Sequence, residues 1–203
     1  MGLNRIGLFA LTGALGGLLS IAGRAQTVSS AAGGGLPLSI GLGVSDYDVD
    51  WGHGRMVGGT VWIDYDLDRG PAYLRGLGVE VEARDINLNR SSTQPSNFRL
   101  ETLGGGPIYF AELRRIPNLR PYGKFNIYYA GIDWNNPDPR YTHETRAATA
   151  PGLGFEYRVY RSILFRADYE YQFWPDIVVP GRVLNPQGFT LGGMYDFSHD
   201  HGR

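Results

Sequence analysis

Between Ile163 and Trp174 the chain alternates with a period of two. Ile163, Phe165, Ala167, Tyr169, Tyr171 and Phe173 occupy the odd positions, and Arg166, Asp168, Glu170 and Gln172 the even ones. A strand sends successive side chains to opposite faces, so one face here is apolar or aromatic and the other charged. In a soluble barrel or sandwich the apolar face buries in a core and the polar face meets water. In a membrane barrel the apolar face meets lipid and the charged face lines the lumen. The rest of the chain must separate the two.

Seven further segments carry the same alternation. Leu38, Ile40, Leu42 and Val44 share a face in the first, and Val57, Val61, Ile63 and Tyr65 in the second, against Thr60, Trp62, Asp64 and Asp66. The third sets Leu77, Val79, Val81 and Ala83 against Glu80, Glu82 and Arg84. The fourth is the weakest, with Leu100, Thr102, Ile108 and Phe110 opposite Glu101, Leu103 and Tyr109, and its Gly104-Gly105-Gly106-Pro107 run suggests a bulge or bend. Phe125, Ile127 and Tyr129 face away from Lys124, Asn126 and Tyr128 in the fifth, and Leu153, Phe155 and Tyr157 away from Glu156 and Arg158 in the sixth. The Ile163 stretch is the seventh, and the eighth carries Phe189, Leu191, Tyr195 and Phe197.

Eight segments near ten residues each fit tilted strands that cross a hydrocarbon layer. The links after the odd-numbered strands read as about nine to fourteen residues, and those after the even-numbered ones as about four to eight. Long loops at one rim and short turns at the other describe an all-β, eight-stranded, antiparallel up-and-down transmembrane β-barrel. Thirty glycines, thirteen tyrosines and no cysteine suit that class and exclude a disulfide framework.

The N-terminus supports export. Arg5, the uncharged run Ile6–Ala22 and Gly23-Arg24-Ala25 have the order of a cleavable secretory signal peptide. The expected organisation is a signal peptide over 1–25, a flexible lead-in over 26–36, a barrel over 37–198 and a polar tail over 199–203. A net charge of -1 argues against nucleic acid as a partner.

The polar faces predict a lumen network of Asp64, Glu80, Glu82, Arg84, Glu101, Lys124, Glu156, Arg158, Arg166, Asp168 and Glu170, with Asp66 beside it. Eight strands leave room only for side chains, and charges so confined must pair. A plugged lumen is therefore expected, with a narrow channel for small solutes as the alternative. Asp46, Asp48, Asp50, Asp133, Asp138, Glu144 and Asp176 make the long loops acidic, which first suits a solvated rim and, as the functional alternative, a cation or an extracellular partner.

Motifs for chemistry are sparse. There is no phosphate-binding loop and no Gly-x-Ser-x-Gly elbow, and the Gly-Leu-Gly repeats at Gly41, Gly76 and Gly152 lack the third glycine of a dinucleotide site. Those glycines are expected to relieve crowding in the wall. No catalytic, cofactor or metal residue is assigned. A lipid hydrolase assembled from Ser45, Asp50, His53, His143 and Glu144 is the minor alternative. A weak metal site in His199-Asp200-His201 has less to recommend it than a solvated tail.

Thr190-Leu-Gly192-Gly-Met-Tyr195-Asp-Phe197 resembles the C-terminal assembly signal of bacterial outer-membrane barrels, with Thr190, Gly192, Tyr195 and Phe197 at its four positions. It departs from that signal in not ending the chain. The whole chain after the leader resembles the small OmpA/OmpX-like outer-membrane barrels, and the Ile163 stretch their penultimate strand. That resemblance implies an outer-membrane location, contact with membrane lipid and insertion by the barrel-assembly machinery. It leaves the role open among tether, adhesin, pore and lipid enzyme. A soluble lipocalin-like barrel remains the rival fold.

Overall fold

The computed structural model describes residues 36–49, 54–67, 71–87, 98–113, 115–134, 143–175 and 183–199. The expected signal peptide and lead-in lie outside these residues, Leu36 excepted. The unit Pro37–Asp200 holds eight strands: β1 Leu38–Val49, β2 Gly54–Asp66, β3 Leu77–Asn87, β4 Phe98–Phe110, β5 Leu119–Trp134, β6 His143–Tyr160, β7 Ile163–Tyr171 and β8 Gln187–Asp196. Each pairs antiparallel with its sequence neighbour, and β1 pairs with β8 from Ser39↔Asp196 to Asp48↔Gln187, which closes the barrel.

Both ends of the strand order, Leu38 and Asp196, lie at one rim, here the terminal rim. The links β1–β2, β3–β4, β5–β6 and β7–β8 lie at the other, the distal rim. Alternation holds through the body of the barrel and breaks at the end of β6, where Val159 and Tyr160 are both exposed. Leu42, Val61, Ile127, Leu153 and Leu191 point outward and exposed, while Asp64, Glu80, Lys124, Arg166 and Thr190 point inward and buried.

Several boundaries differ from the sequence expectation. Asp46, Asp48, Asp133 and Glu144 belong to strands and not to loops. The strands continue past the apolar band, where outward Asp46, Asp48 and Asp133 are charged without meeting hydrocarbon, while Glu144 takes the inward parity of β6 at the distal rim. The β1–β2 link is consequently only residues 50–53, shorter than the β2–β3 link at 67–76, so link length does not separate the two rims. The Gly104-Gly105-Gly106-Pro107 run does not bulge, and only its pairing with β5 skips Gly106 and Pro107. It pairs with β3 in unbroken register from Glu80↔Gly106 to Glu82↔Gly104. A register irregularity occurs instead between Arg158 and Tyr160 of β6, next to Arg161, which takes φ 38° in the tight turn into β7.

Glycine sets how large an inward side chain can be. A Cβ on Gly41 would lie 2.3 Å from the Trp62 ring, and one on Gly192 2.6 Å from it. The indole thus reaches from β2 across β1 to β8, and both of those strands need glycine for it to lie against the wall. The expectation that wall glycines relieve crowding holds at Gly41, and also at Gly152, where a Cβ would meet the Lys124 stem at 2.9 Å. Gly76 has another cause, its φ of +78° before β3.

Candidate functional site

The lumen is built in three layers. At the terminal rim Arg120 and Arg158 hold the acids. Arg158 Nη2 donates to Asp196 at 2.8 Å, and Arg120 lies 3.4 Å from Asp66 and 3.7 Å from Glu156. The Arg120 guanidinium also stacks 3.8 Å over the Phe110 ring.

The middle layer contains three cations with side chains 0–1% exposed. Arg166 donates to Asp64 at 2.9 Å, to Asp168 at 3.2 Å, to the Tyr122 hydroxyl at 2.6 Å and to Glu80. Its plane also faces the Trp62 and Tyr122 rings. Lys124 Nζ lies within 3.6 Å of four carboxylates, those of Glu80, Glu82, Asp168 and Glu170. Arg84 donates to Glu82 at 2.5 Å and Glu170 at 2.8 Å, with its guanidinium 4.4 Å from the Tyr47 ring centroid. Tyr128 joins the last two acids, its hydroxyl 3.0 Å from Glu82 and 2.9 Å from Glu170. An uncompensated ion at this depth would cost several kcal/mol. Every middle-layer charge has an opposite charge in contact.

Above these charges the distal end is apolar. Val49, Met56, Leu100, Ile132, Trp174 and Leu184 belong to one buried cluster. Trp174 ties it to the ions, since its Nε1 donates to Gln172 at 2.7 Å and Gln172 Nε2 donates to Glu170 at 2.7 Å.

Ten of the eleven predicted network residues therefore lie in the lumen: Asp64, Glu80, Glu82, Arg84, Lys124, Glu156, Arg166, Asp168 and Glu170 buried, and Arg158 partly exposed at the rim. Glu101 is the exception. It points outward near the distal rim, 36% exposed, and pairs with Arg99 at 2.5 Å, which also holds Asp85. β4 turns Leu100, Thr102, Ile108 and Phe110 inward, because its two ends sit beside the apolar cap and the Arg120 stack. The rule that polar side chains face the lumen inverts there.

Arg120 and the tyrosines Tyr47, Tyr122 and Tyr128 were not in the predicted network. The alternation Tyr122, Lys124, Asn126, Tyr128 was the signal available for the last two.

Of the remaining candidates, the described Ser45 and His143 lie on opposite faces of the wall. The Ser45 hydroxyl is buried and shared with Thr60 at 2.5 Å and Thr190 at 2.8 Å, whereas His143 is at the distal rim with Asp133 at 2.5 Å. Asp50 and His53 lie outside the described residues, as do Asp200 and His201. Of the loop acids, Asp46 pairs with Arg55 and Glu144 with Arg146, both at 2.6 Å. Asp138 and Asp176 also lie outside the described residues. Among the C-terminal positions, Thr190 and Gly192 face inward and Tyr195 outward. Phe197 lies beyond β8, in the 3-10 turn Phe197–His199, with its ring 4.8 Å from that of Tyr195.

Comparison with known proteins agrees with this geometry. The outer membrane protein beta-barrel domain family matches residues 13–197. The chain belongs to that family.

Its location is the bacterial outer membrane, and the soluble lipocalin-like alternative falls away. The structure is similar to Neisserial surface protein A, with a TM-score of 0.58 and 15% identity over 79% of this chain and 97% of that one. It is also similar to OprG of Pseudomonas aeruginosa, with 0.54 and 12% over 81% and 97%. Ail, the attachment invasion locus protein of Yersinia pestis, aligns with 0.52 and 18% over 79% and 97%. At such identities these likenesses concern the fold. No curated protein sequence matches the chain.

Proposed function

We propose that this barrel is a non-conducting, non-enzymatic scaffold of the outer membrane whose distal rim serves surface contact. The observation that carries it is the filled middle layer, where Arg84, Lys124 and Arg166 bridge opposite walls through carboxylates from β2, β3 and β7. An eight-stranded barrel has just enough interior for such side chains. A solute would have to break several buried ion pairs and also pass the Trp174 cluster.

The distal rim supports the contact half of the reading. There β3 and β4 carry the exposed ion pair Asp85–Arg99, and β5 and β6 the exposed hydrogen-bonded pair Asp133–His143. These leave polar strand ends at the distal rim. Attachment is what the name of the Yersinia protein says of that protein, and a shared fold makes it one contact role to test here. The resemblance of Thr190, Gly192, Tyr195 and Phe197 to the assembly signal supports delivery by the barrel-assembly machinery.

A swelling assay tests the closed lumen. Vesicles containing the chain should swell in a small sugar no faster than empty ones, and faster swelling would favour the narrow channel. For the enzyme alternative, mass spectra of lipid A and phospholipid from overexpressing cells should match those of control cells. New or missing lipid species would overturn the non-enzymatic part.

A further inference from the structure

A groove of about 620 Å³ crosses the outward face of the barrel from β3 to β7. One wall follows a single hydrogen-bonded row, in which Leu77 pairs with Tyr109, Tyr109 with Gly123, Gly123 with Leu153 and Leu153 with Tyr169. The other wall lies two residues nearer the distal rim on each strand, at Pro107, Phe125, Pro151 and Tyr171. Between them the floor is backbone, because Lys124 turns its side chain into the lumen and Gly152 has none. The groove forms because Gly123 carries no side chain and Pro107 and Pro151, flanking Phe125, are short and flat.

Its course is as informative as its lining. Leu77 is the first residue of β3, at the terminal rim, and Tyr171 the last of β7, at the distal rim. Four interstrand steps of about 4.8 Å give the row a length of about 19 Å. Because barrel strands tilt, a row perpendicular to them runs obliquely between the two rims. Tyrosines stand at both ends, Tyr109 towards the terminal rim and Tyr169 and Tyr171 towards the distal one. Such rings favour the boundary between hydrocarbon and water. The groove is continuous with the apolar outward band, which in this family faces lipid.

We propose that this groove is the seat of one ordered acyl chain of a membrane lipid. A chain lying in it touches protein on three sides, whereas one against the convex wall elsewhere touches on one. The proposal rests on the outer-membrane placement of the barrel and adds a defined lipid site to it.

The test uses the full chain refolded into phosphatidylcholine vesicles that contain phosphatidylethanolamine with a diazirine on its acyl chain. After irradiation, adducts are mapped by mass spectrometry. Adducts on Tyr109, Phe125 and Leu153 should exceed those on Leu42, Val61 and Leu191 several-fold. Gly123→Leu should abolish the excess. A Cβ there meets nothing nearer than Leu153 Cδ2 at 3.7 Å, so the wall accepts the substitution. Gly193→Leu, outward on β8 and clear of the groove, should leave the excess unchanged. Even labelling of all six residues in the unsubstituted chain overturns the site but keeps the membrane barrel. A complete absence of outward adducts overturns both the site and the membrane placement.

Discussion

Arg166 of β7 meets Asp64 of β2 at 2.9 Å across the lumen, from positions 102 residues apart in sequence. The contact spans the barrel and does not run along the wall, so it holds together strands that never pair with one another. Arg166 also carries Glu80 and Asp168, whereas among the described residues Asp64 makes its salt bridge with Arg166 alone. The two partners are therefore unequal.

Removing the cation should cost far more than removing this acid. Arg166→Met strands Asp64, leaves Glu80 and Asp168 to Lys124, and is expected to destabilise by about 3–5 kcal/mol. Asp64→Asn leaves Arg166 two acids and is expected to cost about 1–3 kcal/mol. Denaturant unfolding of the refolded barrel, followed by its heat-modifiable gel shift, measures both. Equal losses would contradict the network as described.

The same asymmetry should recur at Lys124. Five carboxylates face three cations in the middle layer, and Lys124 touches four of the five. Lys124→Met is thus expected to match Arg166→Met in cost. Asp168→Asn should unfold at nearly the wild-type denaturant concentration, because it relieves an excess of like charge. A larger loss for Asp168→Asn than for Lys124→Met would reverse the predicted order.

Much of this layer was legible from alternation alone. Glu80 and Glu82 on β3 and Asp168 and Glu170 on β7 occupy one parity, and the lumen took that parity. Glu101 was misplaced because β4 lines the two ends of the lumen, where Leu100 and Phe110 are the correct inward residues. Asp46 and Asp133 were placed in loops because a charge on the outward parity looks like the end of a strand. It marks the end of the hydrocarbon, while the strand itself continues. The Trp174–Gln172–Glu170 chain depends on the isolated pairing of Trp174 with Leu184, which no period in the sequence announces.

Trp62 supplies a packing test. Gly41→Ala places a methyl where the indole lies and is expected to cost about 1–3 kcal/mol by overpacking. In Trp62→Leu the same substitution should cost much less, giving a coupling of about 0.5–3 kcal/mol in a double-mutant cycle. Additive losses would mean that the ring does not lie against Gly41.

Glu101 and Glu82 sit on opposite faces and should behave oppositely. Glu101→Gln breaks an exposed pair with Arg99 and should change stability by about 0–1 kcal/mol, less in high salt. Glu82→Gln weakens contacts to Arg84 and Lys124 in the lumen and should cost about 1–3 kcal/mol with little salt dependence. Unfolding curves at low and high salt separate the two cases.

Single-channel recording in planar bilayers tests the closed lumen most directly. The refolded chain, shown to be inserted by its heat-modifiable band, should give no discrete conductance steps at neutral pH. Lys124→Met should stay equally silent if it folds, because the apolar cluster around Trp174 still covers the distal end. Regular, reproducible steps from the unsubstituted chain would contradict the account and make the narrow channel its replacement.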